Sequence, residues 1–315
     1  MTDFWQFVMI GLVTGSLYAL IALGYTMVYG IIELINFAHG DLFMLGSFFA
    51  LQLAIWLGAV AVPGSGLPFE PPTMLASILT IGVMLVAAPI FCAALNVAID
   101  RAIYKPVRSA PKLAAIVSAI GVSFVLMNVG VFWFGSVDLD FPNLVGSKNL
   151  LAETGLKLTL TYKDLMVVGV TVPTMIALTI FVKYSTLGKA MRAAAQDPTA
   201  AQLMGINVDR VISATFAIGG ALAGVASVVY GLYFNTVGYQ MGFQNGVYAF
   251  TAAVLGGIGN IPGAVLGGIL IGLIRSLGSA YVGEVWSEAL IFAILIVILI
   301  FRPTGLLSSR TREKV

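Results

Sequence analysis

Glu33, Asn36, His39 and Asp41 fall within nine residues of a stretch that is apolar on both sides, Tyr29-Gly-Ile-Ile-Glu-Leu-Ile-Asn-Phe-Ala-His-Gly-Asp-Leu-Phe-Met44. In such surroundings these groups could carry a proton or cation, or line a polar path where a helix is interrupted. Unsatisfied polar groups in hydrocarbon are costly, so non-helical backbone at membrane depth has to line protein or water. Gly30, Glu33, Asn36, Phe37, His39, Gly40 and Asp41 are therefore candidate pathway or hinge residues. The other reading is a short cytoplasmic turn between two spans, capped by Asn36 or Asp41. His39 is the only histidine, so a histidine-rich metal site within this chain is excluded and no metal is expected. Its expected part is that of a hydrogen-bonding residue in the turn.

A second break reads Leu255-Gly-Gly-Ile-Gly-Asn-Ile-Pro-Gly-Ala-Val-Leu-Gly-Gly-Ile-Leu-Ile-Gly272. The Gly259-Asn-Ile-Pro-Gly263 part must form a turn or unwound segment, because this composition punctuates helices, and Gly256, Gly257, Gly259, Asn260, Pro262 and Gly263 are further candidate pathway or hinge residues. Interrupted segments at matching places in two halves of a chain point to a transport site. Glycines at 259, 263, 267, 268 and 272 predict a smooth strip along one helix face that another helix can approach closely. Gly11 with Gly15 and Gly220 with Gly224 are further pairs of this packing type. Arg275 and Glu284 flank the end of a span, where Arg275 is expected to snorkel to the outer interface.

The chain has no Gly-x-x-x-x-Gly-Lys-[Ser/Thr] loop, no His-Glu-x-x-His and no Gly-x-Ser-x-Gly elbow, so P-loop hydrolysis of ATP is excluded. No catalytic residue and no cofactor bound by this chain is expected. The single cysteine, Cys92, lies in an apolar run and reads as a small core hydrophobe.

These residues sit in a chain of 315, 59% hydrophobic and 10% charged, with mean hydropathy +1.01. A soluble domain carries about a quarter charged residues. Apolar runs of about twenty residues recur throughout, which marks an all-α, polytopic helical membrane protein of about eight or nine spans. We place them near 5–29, 41–59, 74–99, 114–135, 165–184, 209–234, 245–258, 261–282 and 285–301. The 245–258 run is too short for a full crossing and reads as a half-helix or a tilted short span. The whole chain, 1–315, reads as one transmembrane domain with a cytoplasmic loop over 185–208. The N-terminus lacks the features of a cleaved signal peptide, so the first run reads as a retained span. A net charge of +2 predicts no nucleic-acid surface.

Lys and Arg set the orientation. Arg101, Lys105, Arg108 and Lys112 lie in one loop, Lys183, Lys189, Arg192 and Arg210 in the next, and Arg302, Arg310, Arg312 and Lys314 in the tail. All three are expected inside, and the connection at 136–163 outside. Counting back puts the N-terminus outside and the C-terminus inside.

The central loop, Lys183-Tyr-Ser-Thr-Leu-Gly-Lys-Ala-Met-Arg-Ala-Ala-Ala-Gln-Asp-Pro-Thr-Ala-Ala-Gln-Leu-Met-Gly-Ile-Asn207, predicts two short helices. Gly188 to Gln196 is rich in strong helix formers. Asp197 follows as an N-cap with Pro198 at the first helical position, and Gly205 supplies a left-handed stop after Met204. Leu203 and Met204 have no use in a purely solvated loop, which favours a docking element.

Thr199-Ala-Ala-Gln-Leu-Met-Gly205 resembles the Glu-Ala-Ala-x-x-x-Gly loop of permease subunits in ATP-binding-cassette importers, with Thr199 in place of the glutamate. The run from Arg192 to Asn207 is similar to the variant found in branched-chain amino-acid permeases. So are Gly11-Leu-Val-Thr-Gly-Ser-Leu-Tyr-Ala-Leu-Ile-Ala-Leu-Gly-Tyr-Thr-Met-Val-Tyr-Gly30 and Ile35-Asn-Phe-Ala-His-Gly40. The likeness spans nearly the whole chain and is to LivH-type subunits.

The resemblance implies a bacterial or archaeal cytoplasmic-membrane permease paired with a second, LivM-type permease. Two ATPase subunits using ATP and Mg, and a periplasmic or lipid-anchored substrate-binding protein, would complete the importer within its lipid. Arg192, Gln196, Asp197, Thr199, Ala200, Ala201, Gln202, Met204 and Gly205 would form the coupling loop seated on an ATPase. The implied substrates are branched-chain or related aliphatic amino acids, carried by alternating access. Urea or short amides are the alternative within the same family. A rival from another class is an ion-coupled secondary transporter using Glu33 and Asp41. An intramembrane enzyme built on His39 and Asp41 has the least material.

Overall fold

The computed structural model describes residues 2–32, 36–59, 73–108, 110–152 and 158–307. Glu33, Glu153, Lys157, Arg310, Arg312 and Lys314 lie outside the described residues. Among the described residues, eight helices are long and apolar enough to cross a membrane and strand is nearly absent. The chain is an all-α, multi-pass membrane protein.

Helix α1 (Thr2–Ile32) is followed by α2 (Ala38–Trp56) and α3 (Met74–Ile99). A wide π-turn at Asp100–Tyr104 carries α3 into the stub α4 (Lys105–Val107). Then come α5 (Lys112–Phe134), α6 (Tyr162–Tyr184), α7 (Thr186–Gln196), α8 (Pro198–Leu203) and α9 (Val208–Phe234). The last three are α10 (Met241–Gly256), α11 (Ile261–Tyr281) and α12 (Glu284–Phe301). At 1.5 Å per residue α10 is about 24 Å long, short of the ~30 Å hydrocarbon core. This is the shortfall the 245–258 run predicts.

Helices α1, α2 and α9 are largely buried, whereas α3, α5, α6 and α12 keep most of their apolar surface on the outside. A helix that is apolar all round belongs in the centre of a bundle. Glycines set how closely these helices meet. A Cβ on Gly272 would lie 2.3 Å from the Gly15 Cα, and one on Gly268 would lie 2.5 Å from the Ala19 Cα. Gly263 and Gly267 face elsewhere: a Cβ on Gly267 would stand 2.0 Å from the Ala252 carbonyl oxygen. The expected single strip is therefore two strips, 268 and 272 against α1, and 263 and 267 against α10. Gly259 precedes α11 and belongs to the turn. The reason is helical geometry, since 267 and 268 point about 100° apart and cannot share a neighbour. Gly220 and Gly224 bring α9 onto the backbone of α3 at Cys92 and Pro89.

The two ends of the bundle differ in chemistry. At one end, strand β1 (Leu139–Asp140) pairs antiparallel with β2 (Thr236–Val237). There the Lys163 ammonium donates to Asn235, whose left-handed backbone ends α9. At the other end lie the α1 terminus, α4, the starts of α5 and α9, and the α7–α8 pair, around one shared groove. There Arg108 bridges two carboxylates: it donates to the fully buried Asp100 and, at 2.7 Å, to Asp209. Lys105 meets Asp209 at 3.0 Å, and Ser213 donates to Asp100 at 2.6 Å.

Removing one partner of a buried pair leaves an uncompensated charge and typically costs about 3–5 kcal/mol. Arg108→Ala is expected to lower the unfolding free energy of the purified protein by about 3 kcal/mol in a denaturant titration. Adding Asp100→Asn should recover more than half of that loss. Equal losses in the single and double variants would show that the buried charge is not the cause.

Candidate functional site

The early polar cluster lies deep in the bundle. Asn36, His39 and Asp41 are 4%, 0% and 1% exposed. The hydroxyl of Ser123 donates to Asp41, and Ser123 stands at the midpoint of α5. The His39 ring packs edge-on to Tyr25 at 4.7 Å and against Gly24. Gly24 precedes the end of α1 by eight residues, so α2 begins about 12 Å inside that end. An ordinary surface turn would not place its polar residues here.

Neither Asn36 nor Asp41 caps α2. The cap position is Phe37, with no side-chain bond, and Asn36 instead accepts from the Tyr104 hydroxyl at 2.8 Å. The wide π-turn at Asp100–Tyr104 carries Tyr104, and an extra residue in a helical turn redirects the side chains around it. Gly40 has the tightest fit of the segment. A Cβ there would stand 2.3 Å from the Gly242 carbonyl oxygen of α10, so α2 and α10 touch through backbone.

Beside this cluster is a cavity of about 120 Å³ lined by Tyr25, Phe37, Ser123, Phe124, Met127 and Phe250, among others. Its walls are aromatic and aliphatic, with hydroxyls from Tyr25 and Ser123. Asp41 Oδ1 and the Asn36 amide nitrogen have no hydrogen-bond partner among the described residues. Buried polar groups without partners are expensive, and an ionisable one at membrane depth marks a functional position by default. The arrangement offers a carboxylate behind a small apolar chamber, suited to a cationic group attached to an apolar body.

The later break sits at the end of the bundle, away from this chamber. Gly257 (φ +102°) and Gly259 (φ +88°) turn the chain between α10 and α11. Asn260 caps α11, accepting from the Gly263 N–H at 3.5 Å, and Pro262 occupies its first turn. Gly256 and Gly263 lie backbone to backbone, and Gly259 touches Gly30 of α1. The tail clips this turn in place: Leu306 and Leu307 N–H groups donate to the carbonyls of Leu255 and Gly256, satisfying carbonyls at a helix end. The Asn260 amide donates to Leu307 at 2.6 Å.

The central loop is the expected pair of helices. Ser185 caps α7, and Asp197 caps α8 by accepting from Thr199 and Ala200 N–H at 2.9 and 3.0 Å. Gly205 stops the pair with φ +85°. Thr199, Ala200, Gln202 and Gly205 are exposed, and Leu203 and Met204 are 85% and 82% exposed. Ala201 instead faces the bundle, and Arg192 donates to the Val182 carbonyl at the end of α6. Those two anchor the loop. Gln196 and Asp197 are exposed at the junction of the two helices.

Arg275 lies near the end of α11, between the helices and the exposed Glu284. Its guanidinium lies 4.7 Å from the Tyr248 ring, donates to the Tyr18 hydroxyl and meets Glu284 at 3.4 Å. Sequence reading also misses Tyr25, Tyr104 and Ser123, which hold or face the polar cluster. Each is a lone hydroxyl in an apolar run, and nothing local says which way it points.

Spans gathered around a buried polar cluster with a small apolar chamber beside it, and an exposed helical pair at one end, fit a membrane permease subunit. The chain belongs to the family of branched-chain amino acid transport system permease components, which it matches over residues 7–299. It is 41% identical over 306 residues to the high-affinity branched-chain amino acid transport system permease protein LivH of Salmonella typhimurium, covering 97% of this chain and 96% of that protein. It is 42% identical over 306 residues to BraD of Pseudomonas aeruginosa, with the same coverage. A probable LivH of Methanocaldococcus jannaschii is 26% identical over 309 residues, covering 94% and 90%.

Proposed function

We propose that this chain forms one half of the translocation pathway of an ATP-driven importer of branched-chain amino acids. The other half is a second, similar permease of the LivM type. Two ATPase subunits, using ATP and Mg, drive alternating access, and a periplasmic or lipid-anchored binding protein delivers substrate. The observation that carries this reading is the family match along nearly the whole chain, together with the exposed α7–α8 pair. The end bearing Arg101, Lys105, Lys183, Lys189, Arg192, Arg210 and Arg302 faces the cytoplasm by the positive-inside rule. That puts the N-terminus outside and the C-terminus inside.

The coupling loop docks through Thr199, Ala200, Gln202, Leu203 and Met204. The chamber beside Asp41 is the candidate station on the pathway. Its almost wholly apolar lining suits an aliphatic side chain better than urea, and Asp41 behind Ser123 suits an ammonium group. Gly40 is the candidate hinge of the pathway wall, and Gly30 with the Gly256–Gly263 turn is the candidate hinge at the cytoplasmic end.

Cysteine cross-linking tests the docking. Gln202→Cys or Met204→Cys should cross-link to an ATPase subunit in a complex that still takes up labelled leucine. An active complex with no cross-link from either position would refute the assignment of this loop. Uptake driven by an ion gradient without ATP, by this chain alone in proteoliposomes, would replace the reading with a secondary transporter.

A further inference from the structure

A groove of about 540 Å³ opens on the outside of the bundle where α3, the π-turn and the start of α9 meet. Val97, Ala214 and Ala217 form its upper, apolar wall, and Arg101, Lys105 and Arg210 its rim. The charges on this rim do not balance. Lys105 and Arg108 are taken up by Asp209 and Asp100, two cations against two anions. Arg101 and Arg210 are exposed, and among the described residues neither makes an ion pair or a side-chain hydrogen bond. Two uncompensated guanidinium groups therefore border one groove.

The apolar wall continues away from the rim along the exposed face of α3 through Ile90, Val86 and Leu79. Alanines at 214 and 217 leave a shallow slot between α3 and α9 at the level where the bundle changes from apolar to charged. The π-turn contributes directly: it widens the helix at Asp100–Tyr104, sending Asp100 inward to Arg108 while Arg101 faces the groove.

We propose that this groove binds an anionic phospholipid of the leaflet facing this end, with the phosphate headgroup on Arg101 and Arg210 and an acyl chain along Val97, Ala214 and Ala217. Guanidinium forks match phosphate oxygens in pairs. Basic pockets between spans at the membrane surface bind anionic headgroups. A soluble anion would gain nothing from the apolar slot, and a zwitterionic lipid would carry a cation towards a rim that already has excess positive charge.

Native mass spectrometry of the full chain, delipidated in detergent and titrated with lipid, tests the proposal. Phosphatidylglycerol should be retained at least about tenfold more tightly than phosphatidylcholine. Each arginine should contribute roughly fivefold, so Arg101→Gln with Arg210→Gln should bind phosphatidylglycerol about 25-fold more weakly. Arg101→Lys with Arg210→Lys keeps the charge and should retain most of the binding. Single Gln variants give the intermediate loss should the double variant fold poorly. Equal retention of the two lipids, or unchanged binding in the Gln variants, overturns the site. Competition by millimolar inorganic phosphate at unchanged acyl-chain length would make it a free-anion site and overturn the lipid. Loss of ATPase co-purification with lipid retention unchanged would assign the arginines to a protein partner instead.

Discussion

Gly272→Leu is expected to remove the folded protein from the membrane. A Cβ at 272 would stand 2.3 Å from the Gly15 Cα and N, and 2.4 Å from the Gly11 carbonyl oxygen. All three are backbone atoms, so no rotamer change can make room. Overpacking a core ordinarily costs about 1–3 kcal/mol because side chains yield; here α1 as a whole would have to move. It is held on other sides too, by Gly24 against His39 and Gly30 against Gly259. The cost should exceed about 3 kcal/mol, visible as lost membrane-fraction abundance and a collapsed Tm in detergent. Gly82 on α3 is the control, since nothing lies within 4 Å of a Cβ there. Gly82→Leu should leave abundance unchanged or slightly raised, because leucine is the better helix former by under about 1 kcal/mol. Wild-type Tm for Gly272→Leu would show that the α1–α11 contact is looser than described.

The second expectation concerns activity without stability. Leu203→Asp with Met204→Asp should cut substrate uptake at least about tenfold while leaving membrane abundance and Tm as they were. Both side chains are more than four-fifths exposed, and surface substitutions usually change stability by within about 0.5 kcal/mol. Burying two such side chains against a partner is worth about 1.5–3 kcal/mol each, so two buried carboxylates would remove most of the docking affinity. The conservative exchange Leu203→Met with Met204→Leu should keep uptake near normal. Full uptake in the double Asp variant would mean that the loop couples through Thr199, Ala200 and Gln202 alone.

Much of the α7–α8 element is legible residue by residue, because its signals are local. Asp197 reaches only two and three residues on, Pro198 fixes its own backbone, and Gly205 needs only its own left-handed conformation. The direction of Arg192 and Ala201 is not legible, since both depend on where the end of α6 and the bundle lie. The polar cluster shows the same division. Its residues stand out in sequence as polar groups in an apolar run, but two readings fit them equally until Ser123 fixes their depth. The contacts of Arg275 are not legible for a related reason: its partners Tyr18 and Tyr248 lie 257 and 27 positions away in the chain.

What the amino-acid order settles alone is the set of spans, the caps of the α7–α8 pair and the lack of a P-loop motif; the spans are legible because lipid enforces length and apolarity one helix at a time. It also settles the family, through motifs distributed over the whole chain. What required the folded chain is which faces meet. The glycine strip divides between α1 and α10, α2 starts at mid-depth, and Arg101 and Arg210 are left unbalanced beside an apolar slot. Hydropathy is a property of each segment and says nothing about neighbours, whereas depth, pairing and charge balance exist only between segments.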